Sequence, residues 1–184
     1  MVLEKKIIEH CAPTLAGLKT ANMFNYKFSS MEKLQKELQM GNHVLNKKGV
    51  YLDLLKINQS RALIYVYRKK RLENDLRKQG VLALLHQYGY ENCELESCLE
   101  KLKQRLQTYD CFPHEIGVFL DYPLHDVIGF IEQGGKNCKC CGIWKVYSNE
   151  CETQELFARF KKCTEIYLKV FARGRTLMQL TVAA

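Results

Sequence analysis

The sequence predicts an α/β protein, with a single domain over residues 1–184 in which helices cover a mixed β-sheet. The chain has 184 residues, 47% of them hydrophobic, which suits one globular domain with its own core. Two β-rich runs flank a short turn near residue 60 and predict an N-terminal antiparallel hairpin. Strand and helix patterns then alternate over residues 115–182, in the β-α-β-α-β order typical of parallel strands joined by helices.

The N-terminal half begins with a predicted helix over residues 3–10, which Pro13 stops. A second helix is predicted to open at Ser29, because Ser29 and Glu32 have the spacing of a capping box. The hairpin follows, with strands YLDLLKI and RALIYVYR joined by the turn formers at residues 58–60.

Three helices are predicted after the hairpin. The first ends near Lys78, the second begins at Val81 and ends near Gly89, and the third spans residues 94–109. Gly80 separates the first two. The third has an apolar face at helical spacing, made of Leu95, Cys98, Leu99, Leu102 and Leu106.

The last third predicts the β-α-β-α-β order. Its elements are a strand over residues 115–120, a helix from Pro123 to Gly134, a strand over residues 143–147, a helix from Ser148 to Arg173 and a strand over residues 177–182. Proline suits the first turn of a helix, and glycine suits its end.

Charge and hydropathy narrow the class of protein. The net charge of +8 would favour polyanions, and the densest basic run is residues 68–71. That run directly precedes acidic residues and no glycine-aromatic RNA-binding signature accompanies it, so a solvated helix start is preferred and nucleic acid is disfavoured. No run of eighteen uncharged apolar residues and no export signal is found, which predicts a cytoplasmic protein without a membrane span.

Nine cysteines are an odd number for a disulfide framework and predict reduced thiols or metal ligands. Cys138 and Cys141 have the C-x-x-C spacing at which two thiolates grip one ion, and Cys111 and His114 supply a C-x-x-H pair earlier in the chain. Together they form a candidate site for zinc, an iron-sulfur cluster or haem. The competing interpretation is that these thiols only pack as small apolar groups. A thioredoxin-like role is disfavoured, because a strand rather than a helix is predicted to follow the motif.

Two further places could bind a ligand. The segment at residues 10–24 gathers His10, Thr14, Lys19 and Asn22 among small residues, which suits close approach to a ligand. A turn around Pro13 followed by a packing strand is the competing interpretation. Asp121 ends a predicted strand just before a helix N-terminus, where open α/β sheets tend to bind anions.

The chain also resembles a known family. The segments HCAPTLAGLKTANMF, FPHEIGVFLDYPLHDVIGFIEQGGKN and GIWKVY, with the ending LTVAA, are similar to a family of unknown function from clostridia and related anaerobic gut bacteria. The resemblance covers essentially the whole chain. It implies an anaerobic bacterial cytoplasm and, through the company of such proteins in genomes, a flavodoxin-like or other redox partner and a role near iron or haem.

Two main hypotheses for function follow. The first is a cytoplasmic protein that binds a metal, haem or related cofactor in iron or electron-transfer metabolism. The second is a non-catalytic module that binds a protein or a polyanion, with thiols that serve only packing. A small enzyme acting on an anionic metabolite would need a pocket at Asp121, so the sequence leaves open whether the protein is an enzyme.

Overall fold

The structure is a computed structural model of the chain and describes residues 2–92, 94–108 and 112–183. Its helices and strands, in chain order, are α1 (Val2–Leu15), β1 (Ala21–Lys27), α2 (Met31–Leu45), β2 (Val50–Asn58), β3 (Arg61–Arg68), α3 (Lys69–Leu76), α4 (Gln79–Gln87), α5 (Leu95–Thr108), α6 (Ile116–Phe119), α7 (Leu124–Glu132), β4 (Cys140–Cys141), β5 (Lys145–Val146), α8 (Glu150–Ala172) and α9 (Leu177–Leu180). The chain forms two compact units. The first unit is Met1–Leu72 with Lys162–Ala184, and the second unit is Glu73–Lys161.

The first unit is built on a three-stranded antiparallel sheet in the order β1-β3-β2. The predicted hairpin is confirmed, since β2 pairs with β3 from Val50 opposite Arg68 to Asn58 opposite Arg61. Helix α1 packs on β1 and α2 packs on β2. The core between them consists of buried apolar side chains, including Leu3, Ile7, Ile8, Leu15, Phe24, Leu34, Ile64, Val66 and Leu177.

Helix α1 is longer than the sequence predicted, because it contains Pro13 and ends at Leu15. Proline inside a helix removes one backbone donor and crowds the preceding turn, at a cost of about 3 kcal/mol. Side chains on both sides of Pro13, such as Ile7 and Leu15, are fully buried along this helix. Their burial offsets the cost of the proline.

Arg68, at the end of β3, holds the C-terminal end of α1. Its Nε donates to the Thr14 carbonyl at 2.7 Å, and its Nη2 donates to the carbonyls of Leu15 at 2.8 Å and Val182 at 2.9 Å. A cation suits this position because the end of a helix carries partial negative charge and unpaired carbonyls. The backbone N–H of Val182 also donates to the Leu15 carbonyl at 3.0 Å. The first unit therefore joins the two ends of the chain.

The second unit contains α4 to α7, the β4–β5 hairpin and the first part of α8. The predicted apolar face of α5 is confirmed, because Leu95, Cys98, Leu99, Leu102 and Leu106 are all buried. The hairpin pairs Cys140 with Val146 and Cys141 with Lys145.

The α/β class is confirmed, but the predicted C-terminal β-α-β-α-β order is wrong. Residues 116–119 form the short helix α6, residues 177–180 form α9, and the strand predicted over residues 143–147 is reduced to β5 in a small antiparallel hairpin. The sheets of the described residues are antiparallel rather than mixed. A short apolar run is ambiguous between strand and buried helix, and α6 is such a run, buried at every position. The two units folding as one domain stays a prediction.

Helix α8 is amphipathic along its 23 residues. Phe160 and Cys163 are buried, whereas Lys161 and Lys162 between them are exposed. Within the part of the chain that the structure describes, no helix has both the length and the apolar character that crossing a bilayer requires.

Candidate functional site

The second unit contains a cavity of about 390 Å³. Its wall comes from three segments, at residues 112–117, 122–130 and 141–145. Most of the lining is apolar or aromatic. Sites for small molecules and cofactors have this character, with volumes of about 300 to 1,000 Å³. The cavity is therefore the candidate functional site of the second unit.

Aromatic rings form much of the wall. Tyr122 stacks on Trp144 with ring centroids 4.7 Å apart, and Trp144 meets Phe157 edge to face at 4.5 Å. Phe130 contacts the His114 ring edge to face at 5.0 Å. Burial raises the pKa of the Tyr122 hydroxyl, so this ring is neutral at physiological pH. Flat rings of this kind bind planar ligands by stacking.

Asp126 fixes the position of Trp144. This carboxylate, in the first turn of α7, is 1% exposed. Its Oδ2 accepts the indole N–H of Trp144 at 2.8 Å, while Oδ1 accepts the backbone N–H groups of Tyr147 at 2.8 Å and Ser148 at 3.2 Å. A buried carboxylate needs such donors to offset the loss of hydration. Its hydrogen bonds tie α7 to the segment that follows the hairpin.

A glycine lets the hairpin approach the first part of α8. A Cβ atom at Gly142 would lie 2.3 Å from the ring of Phe157, closer than real Cβ contacts come. Cys141, Gly142 and Trp144 of this segment all line the cavity.

Among the described residues, three further polar side chains line the cavity besides Asp126 and Tyr122. They are His114, Cys141 and Lys145. His114 and Cys141 are exposed, and Lys145 is half-buried. Imidazole and thiolate are donors for transition metals, and a lysine ammonium binds anions. The cavity thus combines an aromatic wall with two metal-donor types and one cation.

Two of the four predicted metal ligands therefore line one cavity. His114 and Cys141 both belong to it, whereas Cys138 is half-buried and is not among its lining residues. Cys111 lies outside the described residues. Among the residues that are described, no group of three or more His, Cys, Asp or Glu side chains is arranged to hold a metal ion. The four-ligand site stays a prediction that depends on Cys111.

Glu115 anchors the segment that carries His114. Its side chain is fully buried, and its Oε1 accepts hydrogen bonds from Arg105 Nε and from the Tyr90 hydroxyl, the latter at 3.2 Å. Its Oε2 has no hydrogen-bond partner among the described residues. Burial, and then the Glu115 charge, raise the pKa of Tyr90, which keeps this hydroxyl a donor.

The other predicted ligand-binding residues serve contacts within the fold. The Thr14 hydroxyl donates to Asn22 Oδ1 at 2.8 Å, and Lys19 Nζ donates to the Ala21 carbonyl at 2.8 Å. His10 stacks on Phe24 at 5.1 Å on the exposed side of α1. The structure thus brings Thr14 and Asn22 together in the first unit. A ligand-binding role for this set stays a prediction.

Asp121 belongs to the second unit and ends a helical turn rather than a strand. Its φ of 60° is left-handed, a conformation that aspartate tolerates better than most residues. The predicted reason for an anion site here, the carboxyl end of a parallel strand, does not apply. Its ligand-binding role also stays a prediction.

Sequence reasoning missed the aromatic wall and Lys145. The available signal was the presence of aromatic residues in the last third, at Phe112, Tyr122, Phe130 and Trp144. These positions have no common period, so only the tertiary structure brings them together.

Comparison with known proteins places the chain in a family. The model of a family described as "Protein of unknown function (DUF3793)" matches residues 7–181. No significant match is found among curated proteins or among solved structures. The match covers nearly the whole chain, as the resemblance implied, and the protein therefore belongs to the DUF3793 family, whose function is unknown.

Proposed function

We propose that the protein binds a planar iron cofactor of the haem type in the cavity of the second unit, and that it serves iron or electron-transfer metabolism. One observation carries this proposal: the same cavity of about 390 Å³ is lined by aromatic rings and by both His114 and Cys141. A cytoplasmic location, where thiols stay reduced, goes with the proposal.

The chemistry of the wall supports a flat ligand. Tyr122 and Trp144, which stack on each other, both line the cavity, and Asp126 holds the indole in place through its N–H. A rigid aromatic wall loses little conformational freedom when a ligand stacks on it. Phe112, 46% exposed, adds an apolar rim.

The number of donors favours haem over zinc or an iron-sulfur cluster. Haem iron needs one or two protein ligands, commonly a histidine or a cysteine thiolate. A structural zinc ion needs four ligands, and iron-sulfur clusters are commonly held by four cysteines. The described cavity offers one imidazole and one thiol, which are enough donors to hold a haem iron. His114 would hold the iron, and Cys141 would supply a second donor.

Titration of anaerobically purified protein with haemin tests the proposal. We expect a stoichiometric complex with a shifted Soret band, which His114→Ala abolishes and Cys141→Ser alters. His86→Ala and Cys151→Ser are matched controls, because both residues are exposed in the second unit and outside the cavity. Both controls should bind haemin as the wild type does.

Two results would contradict the proposal. One is the absence of a stoichiometric visible band, even after reconstitution. The other is stoichiometric metal without such a band, which would favour the predicted zinc site of Cys111, His114, Cys138 and Cys141. If the haem complex forms, reduction of the bound iron by a reduced flavodoxin tests the expected redox partner.

A further inference from the structure

Lys145 is held at the cavity wall from two sides. Its Nζ donates to the Gly135 carbonyl at 2.6 Å and lies 5.7 Å from the centroid of the Phe130 ring. The carbonyl and the ring face both attract an ammonium group. The side chain of Lys145 is therefore fixed in place before any ligand arrives.

The turn that ends α7 places the Gly135 carbonyl where Lys145 binds it. Gly134 and Gly135 have φ values of 57° and 73°, and the Gly135 N–H donates back to the Phe130 carbonyl at 2.9 Å. This left-handed ending reverses the chain after α7. A Cβ atom at Gly135 would lie 3.1 Å from the Phe130 ring and 3.5 Å from Lys145 Nζ. Glycine at this position therefore leaves room for the lysine ammonium beside the ring.

The charges that line the cavity favour an anion near Lys145. Asp126 is the one carboxylate among the described lining residues, and both of its oxygens already accept N–H groups. Lys145 is the one lysine or arginine among the same residues, and a lysine ammonium has three donor hydrogens. The Gly135 carbonyl takes one of them.

We infer that the ligand of this cavity carries an acidic group at its edge, and that Lys145 binds this group. The inference rests on the proposed function and makes it more specific: the ligand is a planar cofactor with a free carboxylate, such as an iron porphyrin with unesterified side chains. The ring stacks on the aromatic wall, and the carboxylate accepts a hydrogen bond from Lys145 Nζ.

Comparing haemin with haemin dimethyl ester tests the inference, since the two differ in their carboxylates. We expect the wild type to bind haemin about tenfold more tightly than the ester, the gain typical of one charge-assisted hydrogen bond. Lys145→Met should bind haemin about as weakly as the wild type binds the ester, and should bind both ligands equally. Lys145→Arg should keep most of the preference for the acid. Lys139→Met is the matched control, because Lys139 is an exposed lysine just before the same hairpin and lies outside the cavity.

The outcomes separate the two proposals. Equal affinity of the wild type for haemin and the ester overturns the inference and leaves the proposed function standing. A preference for the acid that survives in Lys145→Met also overturns it, and assigns the acid to another group. Failure of both ligands to bind the wild type overturns the proposed function and this inference with it. The wild-type comparison needs no variant, so it holds even if Lys145→Met does not fold.

Discussion

Trp144 and Asp126 are joined by a buried hydrogen bond of 2.8 Å from the indole N–H to Oδ2. The same carboxylate accepts two backbone N–H groups at the start of the segment leading into α8. One side chain thus fixes a wall of the cavity and the path of the chain beyond it. Its role can be tested without knowledge of the ligand.

Asp126→Ala should lower the free energy of unfolding by about 3 kcal/mol, because it leaves three N–H donors without their acceptor. Trp144 is the only tryptophan, so its fluorescence reports on the cavity. Denaturant unfolding followed by fluorescence and by circular dichroism measures the effect. Asp126→Asn keeps one acceptor oxygen and should lose less. Equal stability of Asp126→Ala and the wild type would contradict the assigned role.

Arg68→Met should destabilise the first unit by about 2–4 kcal/mol, because three carbonyls lose a charged donor in a buried position. Arg71→Met is the control, since the Arg71 bond to the Gly17 carbonyl is exposed. We expect less than about 1 kcal/mol for that change. Thermal and denaturant melts of both variants make the comparison. Similar losses of stability from the two changes would show that the hydrogen bonds of Arg68 do not stabilise the first unit as the structure indicates.

Tyr26 predicts a loss of stability at alkaline pH. Burial, followed by the hydrogen bond of its hydroxyl to Glu37 Oε2, raises the pKa of Tyr26 to about 12. The unfolded chain releases this proton near pH 10, so the folded state holds it more tightly. Its contribution to stability is complete below about pH 10 and is lost as the pH rises to about 12, by up to about 3 kcal/mol.

The measurement for Tyr26 is the free energy of unfolding of the wild type and of Tyr26→Phe from pH 8 to pH 12. The phenylalanine variant lacks the hydroxyl and should lose less stability over the upper part of this range. Tyr51→Phe, in the same sheet, should follow the wild type. Parallel curves for the wild type and Tyr26→Phe would show that the pKa of Tyr26 is not raised.

The described cysteines should differ strongly in reactivity. Cys141 and Cys151 are exposed, while Cys11, Cys98 and Cys163 are buried. Burial also raises the pKa of the Cys11 and Cys163 thiols, which lowers the thiolate fraction that reacts. Iodoacetamide at pH 8 should label the first two thiols in the native protein and the other three only after unfolding, as measured by peptide mass spectrometry.

Bound haemin should change the labelling of one exposed cysteine. If the proposed complex forms, bound haemin should protect Cys141 and leave Cys151 reactive, because Cys141 lines the cavity and Cys151 does not. Rapid labelling of Cys11 in the native state would contradict the packing of α1. Equal protection of Cys141 and Cys151 would point to a general effect of haemin rather than to the site.

Local patterns predicted the parts of the fold that depend on local contacts. The hairpin of β2 and β3, the buried face of α5 and the glycine ending of α7 are all present. Helix α9 was missed although its signal is in the sequence: Thr176 and Gln179 have capping-box spacing, and both capping hydrogen bonds form. The apolar run LMQLTV over residues 177–182 predicted a strand instead.

The candidate site was half predictable for a similar reason. Ligand spacing singled out Cys141 and His114, because metal-binding pairs recur at short separations. Lys145 gave no such signal, since its role depends on the turn that presents the Gly135 carbonyl. Two polar residues that are close in sequence, Thr14 and Asn22, are hydrogen-bonded to each other, and their ligand-binding role stays a prediction. Closeness in sequence therefore predicts a contact between two residues better than it predicts their function.

The joining of Leu15, Arg68 and Val182 in the first unit has a consequence for synthesis on the ribosome. Strands β1 to β3 emerge early, but the contacts that close their unit come from residues made after the whole second unit. At usual rates of translation this interval is on the order of ten seconds. During that time the second unit is being made, while the sheet of the first unit waits with part of its apolar surface uncovered. A nascent chain halted before residue 162 should therefore engage chaperones through its N-terminal sheet.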